Sequence, residues 1–287
     1  MTFERFIAID WSGAKPPGYK GVAVAVCDKE GTLRLVPPPA GNYWRREAVF
    51  NWLVRELAQG QSLLIGFDFS FALPFDEGAG FLPGTDRRIG SPAALWRFVE
   101  DICHLQADLY AGAIVEDPNV ARLFWRRGKR PEDFSERLRL TDLACRTAGL
   151  GWPQSVFKLI GAAQVGMGSF AGMRLLHRLR ELPHLSIWPF EPQSVGQSTC
   201  VEIYPRLFMA GCGVVGKIRE LSILKNVVHN LQAELVVLPE ERLDDHCCDA
   251  LVSAAALRYY ALATKYWRPA AMTAAARRHE GWIFGLT

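Results

Sequence analysis

The chain has 287 residues, 49% of them hydrophobic and 22% charged, with 33 basic against 30 acidic side chains for a net charge of +3. That composition suits a globular protein with a sizeable core. It excludes a disordered polyelectrolyte and a chain drawn to polyanions by bulk charge alone, and no apolar run nears the roughly 20 residues of a membrane span.

In chain order, residues 6–11 form a short apolar run and 21–27 a second, Val-rich one, with the turn chemistry of Ser12-Gly13-Ala14-Lys15-Pro16-Pro17-Gly18 between them. Residues 32–36 read as a third strand after the turn at 28–31, and Pro37-Pro38-Pro39 ends it. Residues 45–59 carry Ala48, Trp52, Leu53 and Leu57 at helical spacing, with Gly60 as the stop. Residues 62–69 are apolar on both faces, as a central parallel strand requires. The order is β-β-β-α-β. From about 71 to 198 prolines interrupt the rhythm, with helices expected over 94–110 and 173–182. This stretch reads as a largely helical insertion covering one mouth of the sheet. A fifth strand follows at 199–204, then helices over 217–234 and 244–264, and a tail, 281–285, that could dock as a strand. The expectation is one α/β domain over 1–287, with a mixed five-stranded sheet flanked by helices.

Several carboxylates stand in apolar surroundings. Asp10 closes Phe6-Ile7-Ala8-Ile9, and Asp68 closes Leu63-Leu64-Ile65-Gly66-Phe67. Glu202 lies within Cys200-Val201-Glu202-Ile203-Tyr204-Pro205, and Asp249 follows Asp245 by one helical turn in an Ala-rich stretch. A buried carboxylate is costly unless it is paired or binds a cation, so these residues suggest one acidic cluster for a divalent metal. Each has a structural alternative. Asp10 could bond the Ser12 and Gly13 amides, and Asp68 could form an Asx turn toward Ser70. Asp244 and Asp245 could cap the late helix, and Asp249 could pair with an arginine.

Ile9-Asp10-Trp11-Ser12-Gly13 after a strand, the carboxylate at 68 and the helix Asp245-His246-Cys247-Cys248-Asp249-Ala250-Leu251 resemble the RNase H-like superfamily, the last helix being similar to that of RuvC-type resolvases. More closely, the chain resembles an uncharacterised family of predicted RNase H-like nucleases. The marks are IDWSGAK, the Val165–Ser169 stretch Val-Gly-x-Gly-Ser, VEIYP, D-x-x-x-D-A-L and EGWIFG. The resemblance implies phosphodiester hydrolysis of DNA or RNA at two Mg²⁺ (or Mn²⁺) ions. On this basis Asp10 bridges both metals, Asp68 and Asp249 each hold one, Asp245 shares a helix face with Asp249 so that either could ligate, and Glu202 is a further catalytic carboxylate if its alternating strand turns it to the cluster and not to the opposite side. His246 orients water or a phosphate, unless it is simply a first-turn surface residue.

For substrate contacts, Trp125, Arg126, Arg127 and Arg130 lie in a segment, 122–139, with seven basic and three acidic residues. Basic side chains beside aromatic rings suit nucleic acid, while the structural alternative is a solvated loop with internal ion pairs. Lys15 and Ser12 in the first turn, and Ser169, are further candidates. Gly211–Lys217 spells G-x-x-x-x-G-K, but Ile218 stands where a P-loop needs a hydroxyl. The seven cysteines include no C-x-x-C pair, and the first residues do not read as a signal peptide, so reduced thiols in the cytoplasm are expected. Two other functions fit more loosely. One is an ATP-dependent phosphotransferase of the actin/sugar-kinase class, though the first motif does not recur. The other is a non-catalytic nucleic-acid-binding module with a relic acidic site.

Overall fold

A computed structural model describes every residue except 1, 17–19, 86–87, 133, 162–163 and 237–243. Pro17 and Gly18 of the expected turn, and Asp133 of the basic segment, therefore lie outside the described residues.

The central sheet is mixed and has seven strands, ordered β5-β6-β4-β1-β2-β3-β7. Strands β1 (Arg5–Asp10), β2 (Ala23–Asp28) and β3 (Thr32–Val36) form an antiparallel meander. Helix α1 (Arg46–Leu57) then crosses to β4 (Leu63–Phe67), which pairs parallel with β1. Strand β6 (Ser198–Glu202) extends the sheet in parallel beside β4. The five expected strands are all present. The strand count is corrected by two short edge strands, β5 (Leu185–Ile187) and β7 (Glu234–Leu235), at three and two residues too brief to leave a periodic signal. Strand β5 also shows that the 71–198 segment contributes to the main sheet rather than only covering it.

Helix α2 (Pro92–Cys103) opens with Pro92 and a Ser91 cap accepting from the Ala94 N–H. It ends at Cys103, and the left-handed Asp108 and Leu109, with φ of 53° and 54°, bar any helix from reaching the expected 110. Helix α3 (Leu140–Thr147) follows in the same segment. Helix α4 (Gly166–Leu179) starts seven residues before the expected 173, since packing against α2 overrides the low propensity of its glycines. Helices α5 (Pro205–Gly211), α6 (Leu221–Asn230) and α7 (Asp245–Ala261) complete the chain's main elements.

Strand alternation sends side chains to two separate cores. Ile7, Ile9, Ile65, Phe67 and Cys200 join one, with residues of α1, α2 and α4. Phe6, Ala8, Leu64 and Val201 join the other, with α5, α6 and α7. Helix α7 lies across β1, β2, β3 and β4, and its alanines at 250, 254, 255 and 256 permit the close approach. The tail 281–285 docks through a parallel bridge between Ile283 and Glu202. All seven cysteines are free, and among the described residues no helix is long and apolar enough to cross a membrane.

Candidate active site

Asp10 ends β1 and Asp68 directly follows β4. The parallel register pairs Ile9 with Phe67, and the Asp68 N–H donates to the Ile9 carbonyl at 3.0 Å. The two carboxylates therefore stand side by side at the C-terminal ends of adjacent parallel strands, where open α/β sheets place their sites. Counting by twos from Ala8 and Leu64 turns both toward the α7 face. Helix α7 supplies the rest. Asp244 caps it, accepting from the Cys247 N–H at 2.7 Å, which fixes His246 and Asp249 within its first turns. His246 Nδ1 lies 2.6 Å from Asp10 Oδ2. Arg46, fully buried on α1, donates to the carbonyls of Ser12 (2.6 Å) and Ala14 (3.2 Å) and so holds the turn after Asp10. Gly13 is needed there, because a Cβ would sit 2.3 Å from the Gly168 nitrogen at the start of α4.

These groups line a cleft of about 550 Å³ together with Trp11, Ser12, Trp152, Arg206 and Lys217. Burial raises the pKa of Asp10, and the His246 hydrogen bond and charge oppose it. Asp68 is pushed well above the usual carboxylate range by burial and then by repulsion from Asp10 and Asp249. Burial, followed by the charge of Asp10, lifts Asp249 to about 7. The hydrogen bond to Asp10 raises His246 in turn. The interaction between the Asp10 and Asp68 carboxyls works in opposite directions on the two, raising Asp68 and lowering Asp10. The indole N–H of Trp11, buried in the same cleft, has no partner among the described residues.

Two further predicted site residues, Glu202 and Asp245, line the same cleft but carry cation partners. Glu202 points to the opposite side of the sheet, since Cys200 and Glu202 share one face of β6 and Val201 the other. Its carboxylate accepts from Arg139 at 2.6 and 2.7 Å and from the Phe71 N–H at 2.9 Å. Both oxygens are committed to a buried ion pair, while the residue lines the cleft and its charge acts on Asp68. Asp245 is held at the cleft rim by Lys217 and by Arg219 at 3.2 Å, and against the cost of burial these cations keep it below the ordinary range. It lines the cleft as an ion-paired neighbour of the three aspartates.

Of the expected substrate contacts, only Ser12 lines the cleft, and its Oγ accepts from the Ala14 N–H. Ser169 is fully buried and its hydroxyl joins the Ser70 N–H to the Val165 carbonyl, which removes it from the surface. Lys15 borders a different depression, beside Gln106 and Tyr110. Trp125, Arg126, Arg127 and Arg130 do not line the cleft. Trp125 packs edge-on against Phe134, Arg126 donates to the Val115 carbonyl, and Arg130 stacks over Phe134. The cations lining the cleft are instead Arg139, already paired with Asp142 and Glu202, together with Arg206 and Lys217. Sequence reading missed Arg206, although its place just after VEIYP, at the strand's C-terminal end, was a usable signal.

Oxygen-only donors suit a hard divalent cation, and three mutually repelling carboxylates gain most from one. Among the described residues, however, no three His, Cys, Asp or Glu side chains form a ready metal-binding group. The fit is one of donor chemistry and not of a closed shell. An ion would have to compete with protons for these carboxylates and loosen the Asp10–His246 contact. No family model, curated protein or solved structure significantly matches this chain.

Proposed function

We propose that this protein is a metal-dependent nuclease with an RNase H-like core, hydrolysing phosphodiester bonds of DNA or RNA. The observation that carries this reading is that Asp10, Asp68 and Asp249 line one cleft at the carboxyl edge of parallel strands and repel one another there, with no arginine ion-paired to them among the described residues. An α/β sheet with three antiparallel strands first and helices packed on it is consistent with that core. Mg²⁺ or Mn²⁺, when bound, would polarise a phosphoryl oxygen and lower the pKa of water. The chain's own part is then to present oxygen ligands from Asp10, Asp68 and Asp249. His246, fixed through Nδ1, holds or moves a proton near the reacting phosphate. Arg206 on the cleft wall offsets phosphate charge, and Lys217, paired with Asp245, adds to the positive rim.

The absence of a ready three-ligand group also fits a nucleic-acid-binding module with a relic site. The phosphotransferase alternative needs a second copy of the fold to close on a nucleotide, and the described residues contain one sheet. One experiment separates these readings: single- and double-stranded DNA and RNA are incubated with the protein in Mg²⁺, Mn²⁺ or EDTA, alongside an Asp10→Asn variant. Cleavage that requires metal and drops at least a hundredfold in the variant is expected. Cleavage that survives the substitution contradicts the assignment.

A further inference from the structure

Trp152 is 65% exposed, the one tryptophan among the described residues left so open, and it lines the same cleft as Asp10, Asp68 and Asp249. Leaving an indole in water forfeits a large burial gain, yet its support is elaborate. Gly151 adopts φ +141°, and a Cβ there would lie 2.5 Å from Tyr204 Cε1, so this backbone is pressed against the ring that follows β6. The Trp152 N–H donates to the Tyr204 hydroxyl at 3.3 Å. Arg146 of α3 donates from Nε to the Pro153 carbonyl at 3.0 Å, and its guanidinium carbon lies 4.6 Å from the Trp152 ring centroid. One face of the indole is thus backed by a cation that is itself anchored, and the exposed remainder is offered to the cleft mouth.

We propose that Trp152 is the platform on which this cleft stacks an unpaired base, making single-stranded nucleic acid the substrate class; this rests on the nuclease reading above. A rigid, solvent-facing ring beside phosphate-binding cations is the combination that binds single strands with little sequence preference, because every base offers a π-face. Arg206 and Lys217 supply the cations on the cleft wall. In a duplex each base is already stacked on its neighbours and would have to be flipped out to reach the indole.

The test is fluorescence anisotropy in Ca²⁺ with three labelled probes: a short oligothymidylate, the same backbone carrying abasic sites, and a blunt duplex. Wild type should prefer the oligothymidylate. Trp152→Ala should weaken it roughly 5- to 100-fold and leave the abasic strand unchanged, while Trp152→Phe should restore most of the affinity. Unchanged oligothymidylate binding in Trp152→Ala, equal losses on the abasic strand, or tighter binding of the duplex would each overturn the platform and leave the nuclease reading standing. If no probe binds wild type at any salt concentration, the nuclease reading itself fails and the platform with it.

Discussion

Two acid clusters that line one cleft from the two sides of the sheet are compensated in opposite ways. On the insertion side, Glu202 and Asp142 meet Arg139, which spends its guanidinium on both carboxylates, and Glu280 accepts from the Phe75 and Leu140 N–H groups. Burial works against the Arg139 charge, and Asp142 and Glu202 more than offset it, so its pKa rises. On the α7 side, Asp10, Asp68 and Asp249 repel one another, with a single histidine bonded to Asp10 and, among the described residues, no arginine ion-paired to any of the three. The first cluster is complete as it stands: it ties β6, α3 and the C-terminal tail together. The second is left in electrostatic debt that only protons or a cation can settle. Burial of an acid is therefore not by itself a sign of function; the charge that faces it decides.

Removing the compensation on the complete side should have the largest effect. Arg139→Met strands two buried carboxylates, and urea unfolding should show a loss of about 3–5 kcal/mol. A loss below about 1 kcal/mol would mean the network is dispensable. On the α7 side the sign reverses. The folded pKa of Asp249 is raised from 3.8 to about 7, so the native state keeps its proton longer than the unfolded chain. Stability falls as pH rises between those values and levels off above them. Asp249→Asn should thus stabilise the metal-free protein by about 1–2 kcal/mol at pH 8, less than the full shift because the group is partly solvated, and by almost nothing at pH 4. Destabilisation at pH 8 would show that this carboxylate has a favourable partner after all. Asp245 sharpens the contrast from the rim. Its cation partners are half-exposed, so Asp245→Asn should cost less than about 1 kcal/mol at neutral pH. Because its pKa is depressed, that small cost should vanish as the carboxylate protonates in acid. A larger cost would make Asp245 part of the buried cluster.

Much of the α7 face was legible in the sequence. Apolar runs ending in Asp10 and Asp68 predicted strand-end carboxylates, and Asp244 with an Ala-rich stretch predicted a capped helix bringing Asp249 inward. The other face was not, because alternation specifies a side only once strand phase is known, and Glu202's partner lies 63 residues away in a segment without regular pattern. The basic run at 126–130 is dense in sequence, yet Arg126 and Arg130 bond locally and the run does not line the cleft, whereas Arg206 and Lys217, scattered along the chain, do. Trp152 went unnoticed among nine tryptophans, although an aromatic within Gly149-Leu150-Gly151-Trp152-Pro153 sits in turn chemistry that seldom feeds a core.

The most direct test of the unpaired cluster is a crystal structure with Mn²⁺, located by its anomalous signal, at a pH above 7 where Asp249 is ionised. Manganese bound by Asp10, Asp68 and Asp249, with Glu202 still on Arg139, is the expected result. A signal at Glu202, or none at the three aspartates at saturating Mn²⁺, would contradict it.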